Sequence, residues 1–189
     1  MLQPARRIRI VCGTCLLILA GLLQAGSAWS AAVASEYQLK AVFLFNFTQF
    51  VEWPSQAFAD AKSPLVIGVL GSDPFGDYLD ETVRGETVNG RPLQVRRYAS
   101  VDEVSNCHVL FISHSEATRQ AAILSKLKGK SILTVGEDDG FVSAGGMIRF
   151  LTVSNKIRLR IGLASAQQAA LTLSSKLLRP ADIVTNGGD

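Results

Sequence analysis

The side chains that could do chemistry are few. The chain of 189 residues has two histidines, His108 and His114, and three cysteines, Cys12, Cys15 and Cys107. Nucleophilic catalysis needs a Ser or Cys beside a His that an acid orients. His114 is flanked by Ser113 and Ser115 just past an apolar run. The carboxyl ends of strands in α/β sheets are where ligands bind, so a triad on His114 is conceivable. The Gly-x-Ser-x-Gly elbow of α/β hydrolases is absent, however, and an exported hydrolase is the minor reading. Metal chemistry has less support. Cys107 and His108 are adjacent, and neighbours in a strand point to opposite faces. No second Cys or His stands at ligand spacing. Asp138-Asp139 lacks the twelve-residue calcium-loop pattern and reads as a solvated turn. The expectation is no metal, no cofactor and no catalytic residue.

Binding chemistry has more to draw on. Gly68, Gly71 and Gly76 bracket a strand-to-helix turn at Ser72-Asp73, where helix-start amides could receive an anion. Their spacing is neither Gly-x-Gly-x-x-Gly nor a Walker sequence, so a plain turn is the simpler reading. Arg149, Arg158 and Arg160 alternate along two late strands, either as solvated charges or as a face for carboxylate or phosphate. Lys40, Asn46, Ser72, Asp73 and Arg149 are therefore the candidate residues of a sensor or carrier for a nucleotide or an aromatic amino acid.

These residues need a scaffold. Ser35 to Trp53 reads as a helix with Ser35 as cap and Pro54 as stop; Leu39, Val42, Phe43, Asn46, Phe50 and Trp53 form its stripe. From Ala41 to Phe47 it is apolar nearly all round, so it is buried on two sides or offers a face to a partner. Strands follow at 65–70, around Leu93 and Val95, at 109–112 and at 132–135. A helix capped by Asp73 runs to about Val83, and another covers 116–128 with Ala117, Ala121, Leu124 and Leu127 inward. Strands at 147–153 and 157–161 form a hairpin about Ser154-Asn155, and 165–178 is a last helix. Alternating strands and helices predict a three-layer α/β/α sandwich around a five- to six-stranded, mostly parallel sheet, with the late antiparallel hairpin at one edge.

The first 32 residues read as a cleavable secretory leader. Arg6, Arg7 and Arg9 precede an apolar stretch from Ile10 to Leu23, then a run of small residues ending at Ala32. That stretch is shorter than the roughly 20 residues that span a bilayer. The leader carries three of the 19 basic residues and none of the 16 acidic ones, so residues 33–189 hold 16 of each. The balance leaves no basic patch of the kind that binds nucleic acid. Two of the three cysteines lie in the leader; Cys107 alone remains, reads as a small buried hydrophobe and has no internal disulfide partner. The expected organisation is a signal peptide over 1–32 and one domain over 33–189, large enough to fold without staples.

The chain resembles the YfiR family. The resemblance is carried by Tyr37-Gln38-Leu39-Lys40-Ala41-Val42-Phe43-Leu44-Phe45-Asn46-Phe47, by Phe50-Val51-Glu52-Trp53-Pro54 and by Ile67 to Gly76. It continues through Gly90-Arg91-Pro92, Cys107 to Ile112, Leu133 to Gly136, Gly140-Phe141, Gly145 to Ile148 and Ser174 to Leu178. It implies an α/β fold, homodimers and a periplasmic repressor. In the best-known system that repressor holds down an inner-membrane diguanylate cyclase through its periplasmic part and is sequestered by an outer-membrane lipoprotein. The sequence departs from the family at Ala170, where glycine is common, and at Pro180, where leucine is usual. Family members with more cysteines can use disulfides, for which Cys107 has no partner.

The leading reading is a non-enzymatic, exported binding module that works by contact. Interfaces favour aromatic anchors. Leu44 and Phe45 are the expected outward, partner-binding residues of the first helix, with Phe47, Phe50 and Trp53 in the core.

Overall fold

The computed structural model describes residues 36–185. The expected leader and the Ser35 cap lie outside them. The first helix, α1, covers 36–50 and buries Lys40, Ala41, Leu44, Phe47 and Thr48. Their spacing of three and four is a helical stripe, but it is turned from the one read in the sequence. Leu39 is 47 % exposed, and Val42 and Asn46 are only half-buried. So much of this helix is apolar that periodicity does not choose a face. The inward polar groups are satisfied instead: Thr48 Oγ1 donates to Phe45 O at 2.6 Å, and Lys40 finds carboxylates. Leu44 is fully buried, which corrects its reading as an outward residue; Phe45 is half-buried.

In chain order there follow β1 (Val51–Glu52), β2 (Leu65–Leu70), α2 (Asp77–Val83), β3 (Thr87–Val88) and β4 (Arg91–Tyr98). Next come β5 (Val109–Ile112), α3 (Gln120–Leu127), β6 (Leu133–Gly136), β7 (Ile148–Val153) and β8 (Lys156–Gly162). The chain closes with α4 (Leu163–Gln168), β9 (Thr172–Leu173), α5 (Ser175–Leu178) and β10 (Asp182–Val184). Eight strands form one sheet in the order β10-β8-β7-β6-β5-β2-β4-β3, and β1 pairs with β9 in a small antiparallel ribbon. The sheet is thus wider than the five or six strands expected. Pairing is parallel except for β7–β8 and β3–β4.

The central strands are buried on both faces, as the unbroken apolar run of β2 requires. One face packs Ile67, Val69, Phe111, Val135 and Phe150 against α1 and α2. The other packs Leu70, Leu110 and Ile112 against Ile123, Leu124 and Leu127 of α3 and against Phe141. Phe141 is fully buried between Gly136 and Gly146, where a Cβ on either glycine would overlap its ring. The result is the expected three-layer α/β/α arrangement.

Several elements differ from the reading, each for a local reason. The hairpin turns at Ser154 and Asn155, both at positive φ, but it is interior, because β10 adds in parallel outside β8. The 116–128 helix begins as a 3-10 turn over His114–Arg119, and Ala117 and Ala121 are exposed while Ile123 is buried. Asp73 does not cap α2; its Oδ1 accepts from Phe75 N at 2.7 Å, and Gly76 at φ 56° delays the helix to Asp77. The 165–178 helix divides into α4, β9 and α5. Ala170 stands at φ 57° and ends α4, and β9 is recruited by β1, which also stops α1 short of Trp53.

Ala170 occupies a left-handed position with an L side chain, a conformation that costs about 1–2 kcal/mol. It is exposed, so no packing is lost on trimming it. Ala170→Gly should stabilise the domain by about 1 kcal/mol, a rise in melting temperature of roughly 2–4 °C. An unchanged or lower melting temperature by calorimetry would refute the conformational cost.

Candidate functional site

Parallel α/β sheets place their sites outside the carboxyl ends of the strands, where the order of connection reverses. Here that reversal lies between β2 and β5. The space is closed by the chain itself. Ser115 Oγ accepts from Ser72 N at 2.9 Å, and Gly71, at φ 87°, packs where any Cβ would strike Ser115 and Glu116. The anion-ready turn read at Ser72-Asp73 is spent on the fold. Asp73 Oδ2 meets Arg97 Nε at 2.8 Å, and the same guanidinium bonds Asp80 at 2.5 Å and Gly76 O at 3.0 Å. Arg97 thereby ties β4 to α2, and its hydrogen bond lowers the Asp80 carboxyl below its usual range.

The polar cluster that does gather lies one strand further on. A shallow depression of about 450 Å³ is lined by Tyr37, Lys40, His114, Glu137, Asp138 and Phe150, among others. Glu137, at the end of β6, is its hub. One carboxylate oxygen accepts from Tyr37 Oη at 2.7 Å and the other from Lys40 Nζ at 2.5 Å. Lys40 is 3 % exposed; its ammonium also meets Glu36 at 2.7 Å and sits 4.5 Å from the Tyr37 ring centroid. Thr152 Oγ1 of β7 donates to Glu36 at 2.9 Å. The lysine hydrogen bond holds Glu36 low, whereas burial, then the Glu137 hydrogen bond, raises the Tyr37 phenol.

The two aspartates beside Glu137 diverge. Asp139 pairs with Arg149, whose Nε also reaches Glu137 O at 3.4 Å. Asp138 Oδ1 pairs with His114 Nδ1, and its Oδ2 is buried without a hydrogen-bond partner. A calcium ligand pair is therefore not what Asp138-Asp139 forms. Among the described residues no three His, Cys, Asp or Glu side chains cluster as metal ligands would.

Of the five candidate ligand residues, Lys40 and Arg149 converge on Glu137, each engaged by the protein's own acids. Asn46, Ser72 and Asp73 do not line the depression, and the five do not frame one pocket. Glu137 and Tyr37 escaped the sequence reading. The available signal was Lys40 in an apolar helix, but it calls for a carboxylate only once the inward face is known, and periodicity does not give that face.

The other titratable groups serve the core. His108 Nδ1 accepts from Val66 N at 3.0 Å, which leaves the ring proton on Nε2 for Ala57 O at 3.1 Å. The ring stacks on Phe58 at 4.4 Å, and burial depresses its pKa. Cys107 is free and buried beside Gly68 and Tyr98, its thiol pushed up to about 12 by burial. A second hollow of about 440 Å³ opens between α3, α4 and the loop before β7; Lys128 is the only charged residue among its described lining residues. No helix among the described residues is long and apolar enough to cross a membrane.

A family model described as YfiR/HmsC-like matches residues 37–182. No curated protein matches the chain.

The cluster makes two predictions. Lys40→Met removes the counter-charge of a half-buried Glu137 and should cost about 3 kcal/mol in urea unfolding, with most of it regained in Lys40→Met/Glu137→Gln. An equally unstable double variant would show that the lysine's packing, not its charge, matters. The Asp138 hydrogen bond raises the pKa of His114 above 6.5. Its contribution is therefore fully present below the unfolded value near 6.5 and is lost as pH rises through the folded one. An NMR titration should find His114 above 6.5 in wild type and back at its ordinary value in Asp138→Asn; an unshifted wild-type curve contradicts the pairing.

Proposed function

Since the chain belongs to the YfiR/HmsC-like family, we propose that it is a periplasmic regulator of cyclic-di-GMP signalling that acts by protein contact and catalyses nothing. In this reading residues 1–32 are removed on export and residues 33–189 form one domain that works as a homodimer. The regulator restrains an inner-membrane diguanylate cyclase through the periplasmic part of that enzyme. An outer-membrane lipoprotein that captures the regulator relieves the restraint.

The observation that carries this reading is the outer side of α1. Gln38, Leu39, Val42, Phe45, Asn46 and Gln49 are exposed or half-buried there, and none is charged. A solvent-facing helix surface is ordinarily the charged one. An uncharged strip with an aromatic at its centre has the make-up of an interface core ringed by polar groups. The plugged switch point and the self-neutralised depression favour contact over small-ligand sensing.

The test uses the full mature chain with the membrane cyclase in vesicles and follows formation of cyclic-di-GMP. Phe45→Glu, with an unchanged melting temperature, should weaken inhibition at least about tenfold, the scale of one aromatic hot spot. Inhibition by the variant at wild-type concentrations removes α1 as the contact; failure of the wild type to inhibit removes the reading itself.

A further inference from the structure

We propose that the free edge of β8 between Lys156 and Leu159 receives an extended acidic segment of a partner protein, which adds to the sheet in line with β10. The inference is independent of the outer α1 surface; α1 packs its buried side on the other face of the hairpin.

β7 and β8 are paired in the register Arg149↔Arg160, Leu151↔Arg158 and Val153↔Lys156. Residues directly opposite share a face, so those six side chains project from one side of the hairpin. Phe150 and Leu159 project from the other and join the core with α1. On the first side Val153 is 55 % exposed, and Lys156 and Arg158 are exposed.

Four cations on one ribbon face repel one another. The protein compensates the inner two. Arg149 pairs with Asp139, and Arg160 Nε donates to Asp182 Oδ2 at 2.8 Å. Lys156 and Arg158 have no carboxylate partner among the described residues. β10 shows what such a partner looks like. It lies parallel to β8, with Asp182 opposite Arg160, Ile183 opposite Ile161 and Val184 opposite Gly162. It starts there, so among the described residues no strand covers the outer edge of β8 from Lys156 to Leu159. That edge offers backbone groups at a strand's repeat, and Lys156 and Arg158 stand at the alternate positions where an added strand presents every second side chain. Acids at alternate positions would continue the pattern that Asp182 begins. An exposed edge invites pairing, and lysine on it is a common guard against self-association. The same charge selects an acidic strand over a second copy of this basic one.

The test measures fluorescence anisotropy of a short labelled peptide of alternating Glu and Val with the full mature protein. Binding should fall with added salt. It should weaken at least about tenfold in Lys156→Glu/Arg158→Glu, and to a smaller degree in Lys156→Gln/Arg158→Gln, which keeps the proposal testable if charge reversal unfolds the hairpin. A peptide of alternating Gln and Val should not bind. Equal binding of the Gln peptide, undiminished binding by both double variants, or association with phosphatidylglycerol vesicles in place of the peptide would overturn the proposal.

Discussion

The arrangement turns on one buried ammonium. Lys40 lies on the inward side of α1, and an uncompensated charge there would cost several kcal/mol. Glu137 meets it from the end of β6, Glu36 from its own helix one turn earlier, and Tyr37 takes the second oxygen of Glu137. The start of α1 is thereby set over the carboxyl end of the sheet. From that anchor the rest of the helix lies along β7, with Phe43 and Phe47 on Phe150 at 5.9 Å each. The neighbouring residues of the same loop complete the cluster: Asp138 to His114 and Asp139 to Arg149. Phe141, locked between two glycines, fastens that loop to the opposite layer.

The same economy shows in how the titratable residues that gather there are already engaged by the protein itself. A general base needs a free lone pair within reach of a substrate proton. His108 uses both ring nitrogens on backbone groups, and His114 is held by Asp138 on an exposed rim, 77 % accessible. The serines next to it are engaged at the β2–β5 junction, Ser113 as the cap of the 3-10 turn and Ser115 toward Ser72. What the fold leaves unengaged among the described residues is of another kind: the outer side of α1, and Lys156 and Arg158 with the backbone edge beside them.

Elements set by local composition were legible in the sequence. The run Leu65–Leu70 and the run Val109–Ile112 are strands because nothing but a doubly covered sheet accommodates them. Ser154-Asn155 turns because both residues adopt positive φ. What depended on distant partners was not legible. The inward face of α1 was decided by Glu137, nearly a hundred residues away. The break in the final helix was decided by the pairing of Thr172 and Leu173 with Glu52 and Val51, and β10 by three residues too short to carry a pattern. Of the candidate ligand residues, Lys40 and Arg149 lie at the Glu137 cluster, engaged by the protein's own acids; Ser72 and Asp73 lie apart from it, because a glycine-rich turn looks alike whether it is open or filled by Ser115.

α1 is fastened at both ends. Its start is held by the Lys40 network, and its finish by the β1–β9 ribbon together with Ser174 N donating to Phe50 O at 2.8 Å. These contacts fix where the helix lies on the sheet at each end. Anything that grips its outer ridge meets a shape already set, and little ordering entropy is lost from this side on association.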